Sequence, residues 1–189
     1  MARTEPGDPD LTMTELRTVA RFAVESADEV LPVFEEVRPD DRRPRVAIGA
    51  AWTFIDGADR SKLQRTASLD AHRAAKDAAD GLAQHAAHAA GDAASAAYLH
   101  PPGQVRSWTS ELARSTQVGH ILRAAAHAAR VAELRAGDDP GVGELHIERT
   151  RRRASPAIID IVRRYPPVAT GRNRVAVLMK ALDTALRSR

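Results

Sequence analysis

The sequence contains no cysteine, three lysines, seven aromatic residues and no long run of apolar residues. A chain without cysteine forms no disulfide and no thiolate metal site, and it has no cysteine nucleophile. A membrane-spanning helix needs about 20 consecutive apolar residues, and no segment approaches that length. Residues 1–10 are acidic and contain proline and glycine, unlike a signal peptide. We therefore expect a cytoplasmic protein that does not contact a membrane.

Alanine, the strongest helix former, supplies 37 of the 189 residues, whereas β-branched and aromatic residues are sparse. Apolar residues recur at helical spacing, and proline or glycine separates the segments. These features predict an all-α fold, an irregular bundle of about eight helices. We expect a single helical domain over residues 11–189, preceded by a flexible arm at residues 1–10.

Local motifs predict where several helices begin. Thr12 with Glu15 fits a capping box, in which each side chain satisfies a free backbone N–H. Asp139 and Ser155 each precede a proline, which suits the first position of a helix.

The segment 100–114 contains two prolines and a glycine and is predicted to be irregular. Ser115 or Thr116 can cap the helix that follows it. Trp52 is predicted to anchor the core.

The segment 82–99 has almost no large apolar side chain. Because small side chains let helix axes approach closely, we place this helix centrally, with Gly91 at the tightest contact. His85, His88 and Asp92 lie at offsets of zero, three and seven, which is one face of a helix. Two imidazoles and a carboxylate are the ligands of many zinc and iron sites.

His72, His120 and His127 could add to that face from neighbouring helices. Polar residues on one helix face more often form a local hydrogen-bonded set, so we predict no metal site and no cofactor. The sequence alone does not decide whether the face of His85, His88 and Asp92 binds a metal ion. His120 and His127 lie two turns apart and could act as an acid or base near neutral pH. No recognised nucleophile accompanies them, and we predict no catalytic residue.

Charge is unevenly distributed along the chain. Residues 137–189 carry 11 basic and 6 acidic side chains, whereas residues 1–136 carry 17 and 19. A basic face can contact phosphates or an acidic protein. No base-reading motif or aromatic stacking platform accompanies the basic residues of segment 137–189, which favours a protein partner over nucleic acid.

Several segments resemble a known family. Leu-Pro-Val-Phe at residues 31–34, followed by Arg-Pro-Asp-Asp-Arg-Arg-Pro-Arg at 38–45, is similar to the opening signature of the actinobacterial putative immunity proteins with an immunity-5-like domain. Ala-His-Arg-Ala-Ala at 71–75 resembles that family's Ala-His-rich helix, and residues 89–93 resemble its Ala-Ala-Gly-His-Ala segment, with Asp92 where many members have histidine. Segments 117–122 and 136–140 look like those of one subgroup.

The resemblance extends over residues 11–187 and implies an all-α protein that neutralises a toxin. Such a protein occludes the active site of its toxin with a complementary surface, so we lean towards a binding protein rather than an enzyme. Arginine and aromatic side chains are the usual anchors of an interface. The anchors predicted here are Arg43, Arg45, Trp108, Arg151 and Arg152.

A second hypothesis is a small helical enzyme or small-molecule-binding protein, such as one of secondary metabolism. Small side chains would leave room for a ligand between the alanine-rich helices. The sequence does not decide which toxin or ligand is bound, whether the protein is catalytically active or whether it forms a homodimer. The polar lining of this alternative pocket would come from His72, Asp92, Tyr98, His120 and His127.

Overall fold

The computed structural model describes residues 11–188, apart from the side chains of residues 111, 112, 114 and 115. Over this range the chain forms nine α-helices and no strand, which confirms the all-α prediction. The arm predicted at residues 1–10 lies outside the described residues. No helix of the described range is long and apolar enough to cross a membrane. The helices are α1 (Met13–Val37), α2 (Arg43–Ile55), α3 (Lys62–Asp77), α4 (Gly81–Ser95), α5 (Pro102–Arg106), α6 (Glu111–Arg135), α7 (Pro140–Arg153), α8 (Pro156–Arg164) and α9 (Arg174–Arg187), with a 3-10 turn at Ala96–Tyr98.

Short polar motifs start the helices. The hydroxyl of Thr12 accepts a hydrogen bond from the Glu15 amide, while the Glu15 carboxylate accepts one from the Thr12 amide. Asp139 caps α7 and Ser155 caps α8, each ahead of a proline in the first turn. A side-chain cap contributes about 1 kcal/mol to helix stability. These three helix starts agree with the prediction from the sequence.

The segment 100–114, predicted to be irregular, is largely helical. Pro101 and Pro102 open the short helix α5, because proline is tolerated in the first turn of a helix. The cap of α6 is Ser110, whose hydroxyl accepts a hydrogen bond from the Ala113 amide, and not the predicted Ser115 or Thr116. The two prolines therefore start helix α5 and do not extend a loop.

Trp52, predicted to anchor the core, is half-buried where α1 packs against α2. Its indole Nε1 donates to Asp28 Oδ2 at 2.8 Å, and the guanidinium carbon of Arg21 lies 5.1 Å from the centre of its ring. At the edge of the core, the indole ring can pack against apolar atoms while its N–H reaches a polar partner. Pro32 lies inside α1, which continues to Val37.

Helix α4 lies at the centre of the fold and packs against α1, α2, α3 and α6. Its buried residues are seven alanines, Gly91 and Asp92. A Cβ at Gly91 would lie 2.8 Å from Cε1 of His72 on α3. This distance shows a close contact with an imidazole at Gly91. The prediction that it is the tightest contact is wrong, because a Cβ at Gly119 or Gly143 would lie closer to its neighbour.

Arginines of the basic C-terminal part bind carboxylates of the N-terminal helix α1. These ion pairs neutralise part of the charge asymmetry within the chain, which leaves less of it for a partner. Individually, exposed pairs of this kind contribute about 0–1 kcal/mol. The pairs are Arg149 with Glu29, Arg153 with Glu25 and Arg164 with Glu15.

Gly91→Ala should lower the free energy of unfolding by about 1–3 kcal/mol, because the new methyl group overlaps the His72 ring in a packed interior. Gly49 on α2 is the matched control, since no atom lies within 4 Å of a Cβ at that position. Gly49→Ala should raise stability by about 0.5–1 kcal/mol through helix propensity. Urea unfolding measures both, and equal effects of the two substitutions would contradict the close contact.

Candidate functional site

The five residues predicted as interface anchors lie in three places. Arg43 and Arg45 are in the first turn of α2, Trp108 follows α5, and Arg151 and Arg152 are in the last turn of α7. Among the described residues, no hydrogen bond, ion pair or ring contact joins one place to another. The structure therefore does not assemble them into one contact set.

The start of α2 is held by ion pairs. Nη2 of Arg43 lies 2.6 Å from Asp41 Oδ2 and 2.8 Å from Asp77 Oδ2, so it ties the α1–α2 loop to the end of α3. Its hydrogen bonds hold the pKa of the Asp41 carboxyl below its ordinary value. Arg45 pairs with Glu35 of α1. These contacts fix the backbone of the loop.

A shallow cleft of about 400 Å³ lies beside this loop. Its walls include an apolar side chain, that of Val46, and the charged groups of Asp40, Asp41, Arg43 and Asp70. Half of the Val46 surface is exposed. We call this surface the α2 corner, meaning residues 40–46 and Asp70. It presents an apolar side chain beside charged groups, of which Asp41 and Arg43 are held by an ion pair.

The other predicted anchors are also engaged within the chain. The Trp108 ring packs edge-on against His100, with 5.2 Å between ring centres. Arg151 and Arg152 share Glu148, at 2.6 and 2.8 Å, and these hydrogen bonds lower the pKa of Glu148. Each residue remains accessible to a partner at its outer edge.

Four of the five residues predicted for the alternative pocket lie together between α3, α4 and α6. Asp92 is buried on α4, 3.9 Å from His72 Nε2 through Oδ1 and 3.6 Å from His127 Nε2 through Oδ2. The Nδ1 of His120 lies 2.9 Å from the Ser95 hydroxyl, one turn along α4. Tyr98 lies elsewhere, because its hydroxyl donates to the Ser61 carbonyl at the start of α3.

Four histidines form what we call the imidazole cluster, consisting of His72, His85, His88 and His127. The Nδ1 atoms of His72 and His88 are 3.0 Å apart, and those of His85 and His127 are 2.9 Å apart. The rings of His88 and His127 stack with 5.1 Å between their centres. The histidines of three helices are thus linked in pairs.

The distances define which nitrogen carries the proton. Each Nδ1···Nδ1 contact needs one N–H and one lone pair. A proton on Nε2 of His72 and of His127 faces the Asp92 carboxylate, whereas a lone pair there would be repelled by it. Assigned from this network, Nδ1 of His72 accepts from His88, and Nδ1 of His127 accepts from His85.

Burial sets the charge of the cluster. It lowers the pKa of His85 to about 4 and lowers those of His72, His88 and His127. Burial also raises the pKa of Asp92 to about 6, against the positive charge of Arg123. At neutral pH the imidazoles are therefore neutral, and the carboxylate is mainly ionised.

Arg123 was not predicted from the sequence as part of this site. Its Nη1 lies 3.3 Å from Asp92 Oδ1, while Oδ2 has no hydrogen-bond partner in the described part of the chain. The signal was present, because His120, Arg123 and His127 have offsets of zero, three and seven along α6. The α4 residues His85, His88 and Asp92 have the same spacing.

The cluster is open to solvent through a cleft of about 510 Å³ between α4, α6 and α9. His85, His88, His127 and Arg123 line it, together with residues of the first turn of α9. Over the described range, no three histidine, aspartate or glutamate side chains are arranged to hold a metal ion. The arrangement therefore offers hydrogen bonds and a guanidinium to a ligand.

The described residues define an all-α protein with a polar imidazole–carboxylate centre. Residues 10–101 match the family model of the Imm-5 like putative immunity protein. The match confirms the resemblance for α1 to α4 and the 3-10 turn, whereas segments 117–122 and 136–140 lie outside it. No curated protein and no solved structure matches the chain.

Stability should fall as the pH is lowered from about 7 to about 5. Below the ordinary histidine pKa of 6.5, the unfolded chain binds protons that the buried imidazoles do not bind. Asp92 has the opposite effect, since its raised pKa makes the folded chain bind a proton near pH 6. The pKa values of His120 and His146 are lowered as well, so one carboxyl group opposes six imidazoles and the loss of stability dominates.

His85→Gln should reduce this pH dependence between pH 4 and 6.5 by at most about 1.4 kcal/mol per pH unit, the effect of one proton. Glutamine keeps an amide that can bond to His127. Urea unfolding at a series of pH values measures the slope for both proteins. An unchanged slope in the variant would contradict the neutral state of His85.

Proposed function

We propose that this protein is an immunity protein that neutralises a toxin by binding it and occluding its active site. The single observation that supports this function is the match of residues 10–101 to the immunity-protein family. Direct occlusion requires a complementary surface and no catalytic group. Action in the cytoplasm belongs to the same proposal and rests on the absence of cysteine.

The α2 corner is the surface that we propose for toxin contact. It lies within the matched residues and contains Arg43 and Arg45. Ion pairs hold both guanidinium groups in place, which lowers the entropy cost of ordering them in a complex. Exposed Val46 can be buried at the centre of the contact while the surrounding charges select the partner.

Trp108, Arg151 and Arg152 are the proposed anchors of an alternative contact, which would replace the α2 corner and not add to it. They lie beyond residue 101, outside the family match. Their positions on other elements make them suitable for comparison with the α2 corner, since each group can be changed without the other.

The test is co-expression of this chain with candidate toxin domains from the same organism, each of which arrests growth on its own. The chain should restore growth, and the purified pair should form a complex. Arg45→Glu and Val46→Asp should each weaken binding about tenfold or more, which is typical for an anchor at the centre of an interface. Isothermal titration calorimetry measures the affinity, and circular dichroism checks that helicity is retained.

Arg152→Glu and Trp108→Ala are the matched controls on the other elements. Retained binding in these variants, with loss in the α2 variants, supports the α2 corner. Loss of binding confined to Arg152→Glu or Trp108→Ala overturns that assignment of the surface. Failure of the native chain to bind or to restore growth overturns toxin neutralisation.

A second candidate function is binding of a small molecule, with enzymatic use of the bound ligand left open. The convergence of His72, Asp92, His120 and His127 beside a cleft favours it. A cleft of about 510 Å³ is within the ordinary range of small-molecule sites. The unpartnered Oδ2 of buried Asp92 indicates a polar centre that internal contacts do not fully satisfy.

Native mass spectrometry of the protein purified from its own host tests this candidate. A retained small molecule that is released on unfolding is the expected result. Met179→Trp should reduce the amount retained, because Met179 lines the cleft and the larger ring fills it. Recovery of the ligand-free mass alone from gently purified native protein counts against a tightly held ligand.

A further inference from the structure

The cleft between α4, α6 and α9 presents positive charge and hydrogen-bond donors to solvent. Three guanidinium groups line it, those of Arg123, Arg130 and Arg174. Three imidazoles, two amide side chains and apolar atoms of α9 complete the lining, and no carboxylate of the described residues belongs to it. The guanidinium groups are the charged donors of the cleft, whereas neutral His85 and His88 carry a lone pair on Nε2 until that nitrogen gains a proton.

Three carboxylates pair with these arginines, and none of them lines the cleft. Buried Glu133 pairs with Arg130 and Arg174, exposed Asp138 also pairs with Arg130, and buried Asp92 pairs with Arg123. A guanidinium has five N–H donors, and the contact of Arg123 with Asp92 involves Nη1. The inner carboxylates hold the guanidinium groups in position, while further donors can reach a ligand.

We propose that this cleft binds a small molecule through an oxyanion, a carboxylate or a phosphoryl group, held by Arg123 and by His85 and His88. The proposal rests on the second candidate function and names the ligand class. Arg123 supplies a charged, planar donor that matches both kinds of oxyanion.

The start of α9 adds to the same preference. Residues 173–176 line the cleft, and the helix has 14 residues. The positive end of the helix dipole favours an anion there by about 0.3–1 kcal/mol. Asn173 accepts the hydrogen bond of the Ala176 amide, so this helix start contributes mainly its field.

His85 and His88 give binding a defined pH dependence. Each donates its Nδ1 hydrogen into the imidazole cluster, so Nε2 is the nitrogen that can gain a proton. Nearby positive charges oppose this gain of a proton. They are Arg123 and Arg130 on α6, Lys76 on α3 and Arg174 on α9, together with His72, His120 or His127 when one of these is protonated. A bound oxyanion counteracts that repulsion. Two buried carboxylates act in the same direction, Glu133 on His85 and Asp92 on His88.

Ligand binding should therefore be accompanied by proton uptake, and affinity should rise as the pH falls. For one proton the gain is at most about tenfold per pH unit. The protonated Nε2 becomes a donor to the oxyanion. This direction is opposite to that of a ligand bound to neutral imidazoles, such as a metal ion.

The test is titration of the full chain with sulfate at pH 6 and pH 8, because sulfate keeps its charge over that range. Isothermal titration calorimetry in two buffers of different ionisation enthalpy reports both affinity and protons taken up. We expect binding at pH 6 that weakens at pH 8. Glycerol phosphate and succinate then distinguish phosphoryl from carboxylate ligands by which one binds more tightly.

Gln84→Glu places a carboxylate on the cleft wall and should weaken sulfate binding about tenfold or more. Gln84 lies in the first turn of α4, where glutamate is favourable, so folding should be retained. Gln104→Glu on α5 makes the same change away from the cleft and should leave binding intact.

Two results would overturn the proposal. One is the absence of binding by all three oxyanions, and the other is equal binding by native protein and the Gln84→Glu variant. A neutral or cationic molecule retained in native mass spectrometry, together with no affinity for oxyanions, overturns the ligand class while the small-molecule function stands.

Discussion

The close packing of α4 determines both the fold and the polar centre. Alanine and glycine on this helix let four other helices approach it, and many short-range dispersion contacts replace the large side chains of an ordinary core. The same packing removes water from the polar residues of α4. Asp92 and the histidines beside it therefore depend on one another for hydrogen bonds, which couples the shape of the core to the chemistry at its centre.

That centre is tolerable because it contains little net charge. A buried ion costs several kcal/mol unless it is paired, whereas a neutral imidazole hydrogen-bonded to another imidazole avoids that cost. The described centre has one ion pair, between Arg123 and Asp92, surrounded by neutral rings. Residues 10–101 supply α3 and α4, but α6 supplies Arg123 and His127, so the family-matched segment contains four of the six residues of this arrangement.

Local sequence patterns were sufficient to predict features that depend on one helix. The caps at Thr12, Asp139 and Ser155 and the close contact at Gly91 follow from residue type and spacing along a single segment. The imidazole pairs depend on how α3, α4 and α6 are rotated against each other, and one sequence contains no direct record of that rotation. Tyr98 illustrates the limit, because the change from α-helix to a 3-10 turn after Ser95 directs its hydroxyl to Ser61.

The ion pairs between α1 and the last helices influence the order of assembly. The ion pair of Glu15 with Arg164 joins residues that are 149 apart in the chain, and the hydrogen bond of Arg153 to the Ser26 hydroxyl joins residues that are 127 apart. Contacts between α1, α2, α3 and α4 close much shorter loops, so their entropy cost is lower and they can form earlier. The contacts of α7 and α8 with α1 therefore form late, and during synthesis Glu15 must wait for Arg164, which follows it by 149 residues.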